Sequence, residues 1–141
     1  MELPELSGRV LTGINLSAEG GQWGFSFGDT CGLNLACAWR IVTKDRVALA
    51  AEDHQQLFGL TQPVDAIAEA IRLLGGRRVS DASLSPHGDI LIEFEGGNRL
   101  QTFTDSSGYE SGTIILGRRQ LVLMGGGEVA EFALPEKDAE Q

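Results

Sequence analysis

Basic residues are scarce in this chain. Lysine and arginine number 11 against 20 aspartates and glutamates, which leaves a net charge of −9 over 141 residues. Nucleic acid needs a basic surface for its phosphates, so nucleic-acid binding is not expected. Long apolar runs are missing too. None approaches the ~20 residues of a membrane span, so no membrane association is expected. The N-terminus, MELPELSGRV, has neither the basic start nor the apolar stretch of a signal peptide. The only cysteines, Cys31 and Cys37, are too few for a disulfide framework. These absences point to the cytoplasm, where both thiols stay reduced. The spacing of the cysteines with His54 and His87 matches no zinc pattern. Gly125-Gly126-Gly127 lacks the Lys-Ser/Thr of a phosphate loop and reads as a turn. Neither a metal nor a cofactor is expected.

What remains is a globular composition, 42% hydrophobic and 22% charged, of a length that suits one domain over residues 1–134. The acidity serves solubility and would also suit a basic protein partner.

The plan of the chain is clearest in DILIEFEGGNRLQTF, residues 89–103. Ile90, Ile92 and Phe94 alternate on one side, Gly96-Gly97 supplies a turn, and Leu100 and Thr102 lie on the return strand of a β-hairpin. A second version stands 67 places earlier, where Trp23, Phe25, Phe27 and Leu33 match Ile90, Ile92, Phe94 and Leu100. Just upstream, LSGRVLTGINLSAEG (6–20) and LGGRRVSDASLSPHG (74–88) share six identities at an offset of 68. The offset of 67 reappears at Val47/Ile114 and Leu49/Leu116. An internal duplication follows, with units at about 6–51 and 74–117.

Each unit reads as four antiparallel strands, near 9–16, 22–28, 33–41 and 46–51, then 77–84, 89–95, 99–104 and 112–117. Gly and Asp/Asn/Ser clusters punctuate them. Between the units, Pro63–Leu74 reads as the main helix, with Val64, Ile67, Ala68, Ile71 and Leu74 on one face. Gly75-Gly76 stops it. Glu52–Leu57 reads as a single helical turn. QLVLM (120–124) and VAEFAL (129–134) read as a closing hairpin, and 135–141 as a disordered acidic tail. The predicted class is mainly β: two similar four-stranded units related by a pseudo-twofold axis and bridged by a helix, as a sandwich or open barrel.

Candidate chemistry is sparse. Asp53 beside His54 offers a carboxylate and an imidazole for acid–base work, though neighbours on an extended chain point apart and no nucleophile motif accompanies them. Ser106, Ser107, Tyr109 and Glu110 share a loop, where function tends to live; the competing reading is turn chemistry. Arg77 and Arg118 head two basic pairs that suit an anion or a solvated strand edge. Trp23 and Trp39 read as core.

WGFSFGD (23–29), AWR (38–40), EDHQQLFGL (52–60), LGGRRV (74–79), DILIEF (89–94) and SSGYES (106–111) carry a resemblance over most of the chain. The pattern is similar to a group of small bacterial domains of unknown function, which implies a bacterial source and no catalytic residues. In that pattern a tryptophan often follows YES; here the position is Gly112. Some similar small domains resemble immunity proteins, which neutralise secreted bacterial toxins by binding them.

Three functions are carried forward. The first is a non-catalytic protein-binding module, with an immunity-type inhibitor as its specific form, acting as a monomer or homodimer on a basic partner. The second is a small-ligand domain using the groove between the units and the 105–112 loop, in a concave pocket where Arg and Tyr side chains converge. The third is a hydrolase using Asp53 and His54 with Ser106 or Glu110.

Overall fold

The computed structural model describes residues 1–134. The tail expected at 135–141 lies outside the described residues. The first half supplies β1 (Gly13–Leu16), β2 (Trp23–Ser26), β3 (Cys31–Leu35), β4 (Ala38–Val42) and β5 (Val47–Ala50). Helix α1 (Ala66–Leu74) follows. The second half supplies β6 (Val79–Leu84), β7 (Ile90–Phe94), β8 (Arg99–Phe103), β9 (Gly112–Leu116), β10 (Arg119–Leu123) and β11 (Val129–Ala133). All pairings are antiparallel. A six-stranded sheet runs β1-β2-β3-β9-β10-β11, and a five-stranded sheet runs β5-β4-β8-β7-β6.

The mainly β class holds, but the four-stranded units do not. Each half divides between the sheets. β1–β3 lie in the six-stranded sheet while β4 and β5 cross to the other; β6–β8 lie in the five-stranded sheet while β9 and β10 cross back. The stretch read as one strand, 33–41, is two strands parted at Ala36-Cys37. Partners distant in sequence hold the break: Ala36 N–H donates to the Ser111 carbonyl at 2.8 Å, and Ala38 N–H to Asp105 Oδ2 at 3.1 Å. The 67-residue offset is lost at this crossing, because Val47 lies on edge strand β5 and Ile114 on β9, between β3 and β10. The closing hairpin forms as β10–β11, with β10 also paired to β9. Both halves pair their first three strands in succession. That shared order does not establish the expected pseudo-twofold rotation.

One apolar cluster fills the space between the sheets. Alternation along the strands builds it: in β7 Ile90, Ile92 and Phe94 are buried while Leu91 and Glu93 are partly exposed. Trp39 of β4 meets Trp23 and Phe25 of β2 edge-on, with ring centroids 5.1 and 5.2 Å apart. Phe27 stacks on Phe94 at 6.3 Å. These ring contacts bring the two sheets face to face.

The open sides are closed by short elements. Helix α1 packs against β1 and β5, an edge strand of each sheet. It begins at Ala66 rather than Pro63, because Asp65 is its cap: Asp65 Oδ1 accepts the Ala68 N–H at 3.1 Å. Its buried face is Ala66, Ala70, Leu73 and Leu74, whereas Ile71 is exposed. The predicted face was therefore turned by about a residue, since small alanines let the helix backbone approach the strand edges. Gly76, at φ +76°, makes the left-handed stop, and Gly75 does not. On the opposite side, the first residues join the core. Leu3 and Leu6 are fully buried, and Leu3 N–H bonds the Ala82 carbonyl at 2.9 Å along the edge of β6. No described helix is long and apolar enough to cross a membrane.

Candidate functional site

Asp53 and His54 sit where the edge strand β5 hands over to the loop before α1. The helical turn read at 52–57 is a single tight turn at Ala51–Asp53. Asp53 Oδ2 accepts the Ala50 N–H at 2.9 Å, so its carboxylate finishes the end of β5. His54 Nδ1 accepts the Ala66 N–H, the first amide of α1, at 3.1 Å. The bond uses the lone pair of Nδ1. The imidazole lies edge-on to Trp23, with centroids 5.5 Å apart. Each group is thus committed to backbone that would otherwise lack a partner.

The 105–112 loop stands elsewhere. Ser106 Oγ accepts the Gly108 and Tyr109 N–H groups at 3.1 and 2.9 Å, the turn chemistry expected of a serine. Asp105 binds β4 as described, and Ser107 and Glu110 are exposed. Tyr109 is 83% exposed. The loop borders a polar cleft of about 530 Å³, lined in part by Gln22, Asn34, Tyr109 and Glu110. Gly125 packs against its backbone, and Gly126 N–H bonds the Ser106 carbonyl at 2.8 Å. A Cβ on Gly125 would come within 2.5 Å of Gly108 backbone, and one on Gly127 would overlap the His87 carbonyl. The Gly triplet is the turn expected, and it is also a close-packed joint. Gly112, at φ +153°, closes the loop against the Asn34 carbonyl with no room for a Cβ. The tryptophan of the resembling pattern has no place on this backbone.

The two candidate groups are not brought together. Asp53 lines a different cleft from Ser106, and the two clefts share no residue. The converging arginines are absent from the polar cleft as well. Arg77 lies exposed with its guanidinium against Gly96, and Arg118 lines a shallow recess with Glu5, Arg119 and Phe132. Among the described residues no three His, Cys, Asp or Glu side chains gather at metal-binding distance. Cys31 and Cys37 are buried free thiols. Burial, and secondarily Asp105, pushes the Cys37 thiol up to about 11.

A third region escaped the sequence reading. Between His54 and Ala66 the chain folds back on itself: Gln55 N–H bonds the Val64 carbonyl and Val64 N–H bonds the Gln56 carbonyl, both at 2.8 Å. Its tip is a tight turn closed by Leu60 N–H to the Leu57 carbonyl at 2.8 Å. Phe58 and Gly59 have φ of +48° and +78°, the type I′ geometry. Leu57, Phe58 and Leu60 are 52%, 65% and 62% exposed. The tip overhangs a groove of about 780 Å³ between β5 and the first turn of α1. The signal in the sequence was LFGL, an apolar run with no polar alternation, inside a stretch read for its Asp-His pair.

No protein family matches this chain, and neither does any curated protein or solved structure.

Proposed function

We propose that this chain is a non-catalytic protein-binding module. The observation that carries the reading is the apolar tip Leu57–Leu60, which holds three large side chains in solvent on a fixed turn. Phenylalanine in the left-handed region is unfavourable by of order 1 kcal/mol or more, and strain of this kind gathers at binding sites. Exposed apolar clusters rimmed by polar residues mark protein interaction surfaces. The residues that resembled catalytic groups serve this surface: Asp53 and His54 anchor one base of the loop, and Asp65 the other. A net charge of −9 favours a basic partner with steered association and disfavours nucleic acid and anionic membranes. An immunity-type inhibitor of a basic toxin is the specific form of this reading, and a reducing cytoplasm suits the two free thiols.

The test compares wild type with Phe58→Asn as bait in its own cell lysate, washed at low and at high salt. Asparagine is favoured at this turn position, so the variant keeps its fold and gains roughly 0.5–1 kcal/mol of stability. Loss of an exposed aromatic anchor lowers capture of the partner about tenfold or more. Equal capture by both baits, or no partner at either salt, refutes the reading. The polar cleft beside Tyr109 and Glu110 then becomes the candidate, and a thermal-shift screen of small ligands is its assay.

A further inference from the structure

We infer that the groove between β5 and α1 takes a short segment of a partner protein in which apolar side chains alternate with lysine or arginine. The inference rests on the binding-module reading and specifies its ligand. Val47, Phe58, Leu60, Pro63, Val64 and Ala68 supply apolar surface along the groove. Val47 is 46% exposed, so the edge of β5 contributes open apolar area and not only a wall. The charged groups on the same groove are Asp53, Asp65, Glu69 and Arg46, three acids against one base, or −2. Glu69 is also held by Arg72 at 2.8 Å, which lies outside the groove. Asp53 and Asp65 are fixed by backbone amides, so their charges stay in place when a ligand arrives.

This combination selects among occupants. An anionic lipid surface meets an acidic rim on an acidic chain and is repelled. A second copy seated by a twofold axis sets one acidic rim against the other, which like-charge juxtaposition disfavours. A segment with apolar anchors and basic flanks satisfies both features at once. The floor accepts the anchors and the rim accepts the cations. The groove is also preorganised. The Gln55–Val64 pairing, the His54–Ala66 bond and the Asp65 cap fix the loop on one side, and the sheet fixes the other.

The experiment is an NMR titration of the ¹⁵N-labelled full chain with two short synthetic peptides. One alternates lysine with leucine and valine, and the other carries glutamate at each lysine position. The lysine peptide should shift the amides of Val47, Phe58, Leu60 and Ala68, and its affinity should fall about tenfold between roughly 50 and 500 mM salt. Glu69→Gln should weaken it by roughly twofold to fivefold. Equal binding of the glutamate peptide, shifts confined to 105–112, or no shift at millimolar peptide overturns the inference. Shifts that grow with protein concentration alone assign the groove to a second copy and overturn it as well. If lysate capture depends on Phe58 but the lysine peptide leaves the groove unmoved, the ligand assignment falls and the binding module stands. If both fail, both fall.

Discussion

Replacing His54 separates a structural histidine from a chemical one, and the structure fixes the expected size. Nδ1 accepts the Ala66 N–H at 3.1 Å, and Ala66 is fully buried. In His54→Ala that amide loses its partner with no ready access to water, at a cost of about 1–3 kcal/mol. The imidazole also leaves the edge of Trp23, 5.5 Å between centroids, at a further cost of about 0.5–1.5 kcal/mol. Together these give roughly 2–4 kcal/mol, or a fall in Tm of about 6–15 °C for a chain of this size. His54→Asn places its amide oxygen close to where Nδ1 stood. It keeps an acceptor for Ala66 and loses only the ring contact, so it should recover all but about 1 kcal/mol. Thermal melts of the three proteins measure the totals, and hydrogen exchange at the Ala66 amide locates the effect. A His54→Ala protein that melts within about 1 °C of wild type refutes the assignment. So does a His54→Asn protein no better than the alanine variant.

Two further outcomes follow from buried groups. Cys37 has its thiol raised from the ordinary 9.0 to about 11 by burial, with Asp105 adding to it. Its contribution is therefore fully present at neutral pH. From about pH 9 to 11 the unfolded chain ionises while the folded one does not, so stability falls by roughly 1 kcal/mol per pH unit. Urea melts across this range should show the slope in wild type and a flatter profile in Cys37→Ala; equal slopes refute it. Asn98, in the turn after β7, donates from Nδ2 to the Leu73 carbonyl in the last turn of α1 at 2.7 Å, and it is 8% exposed. Asn98→Ala should lower stability by about 1–3 kcal/mol. Asn98→Asp should be worse, because it sets a negative charge against the negative end of the helix. A midpoint unchanged in either variant refutes the capping role.

The hairpin of β7 and β8 was legible because alternation and a Gly-Gly turn are both local signals. The break between β3 and β4 was not, because no glycine or proline marks it. Its cause is the pair of contacts that Ser111 and Asp105 make from some seventy residues away. The helix existed where periodicity put it, yet the buried face was misjudged. Hydrophobicity favoured Ile67 and Ile71, whereas packing over two strand edges favoured Ala66 and Ala70. Leu3 was passed over because a terminal segment of so few residues shows no period, and Leu6 was read only for its place in the repeat. At the candidate site, the sequence left Ser106 open between a binding role and a turn role, and its hydroxyl accepts two amides of its own turn, while the apolar tip at Leu57–Leu60 was masked by the polar pair beside it.

The Asp-His pair and the apolar tip belong to one construction. A chain leaving an edge strand to start a helix leaves backbone amides without partners at both ends of the connection. Polar side chains at those ends supply them: Asp53 for Ala50, His54 for Ala66, and Asp65 for Ala68. Residues chosen for that task look like acid–base machinery in a sequence, since both tasks need lone pairs at short range. The connection between them is then stiff enough to hold Phe58 at φ +48° in solvent. Nothing in the fold requires an aromatic there, and asparagine would suit the turn better. A position where folding prefers one residue and the chain carries another is the ground on which a binding role for Phe58 is proposed.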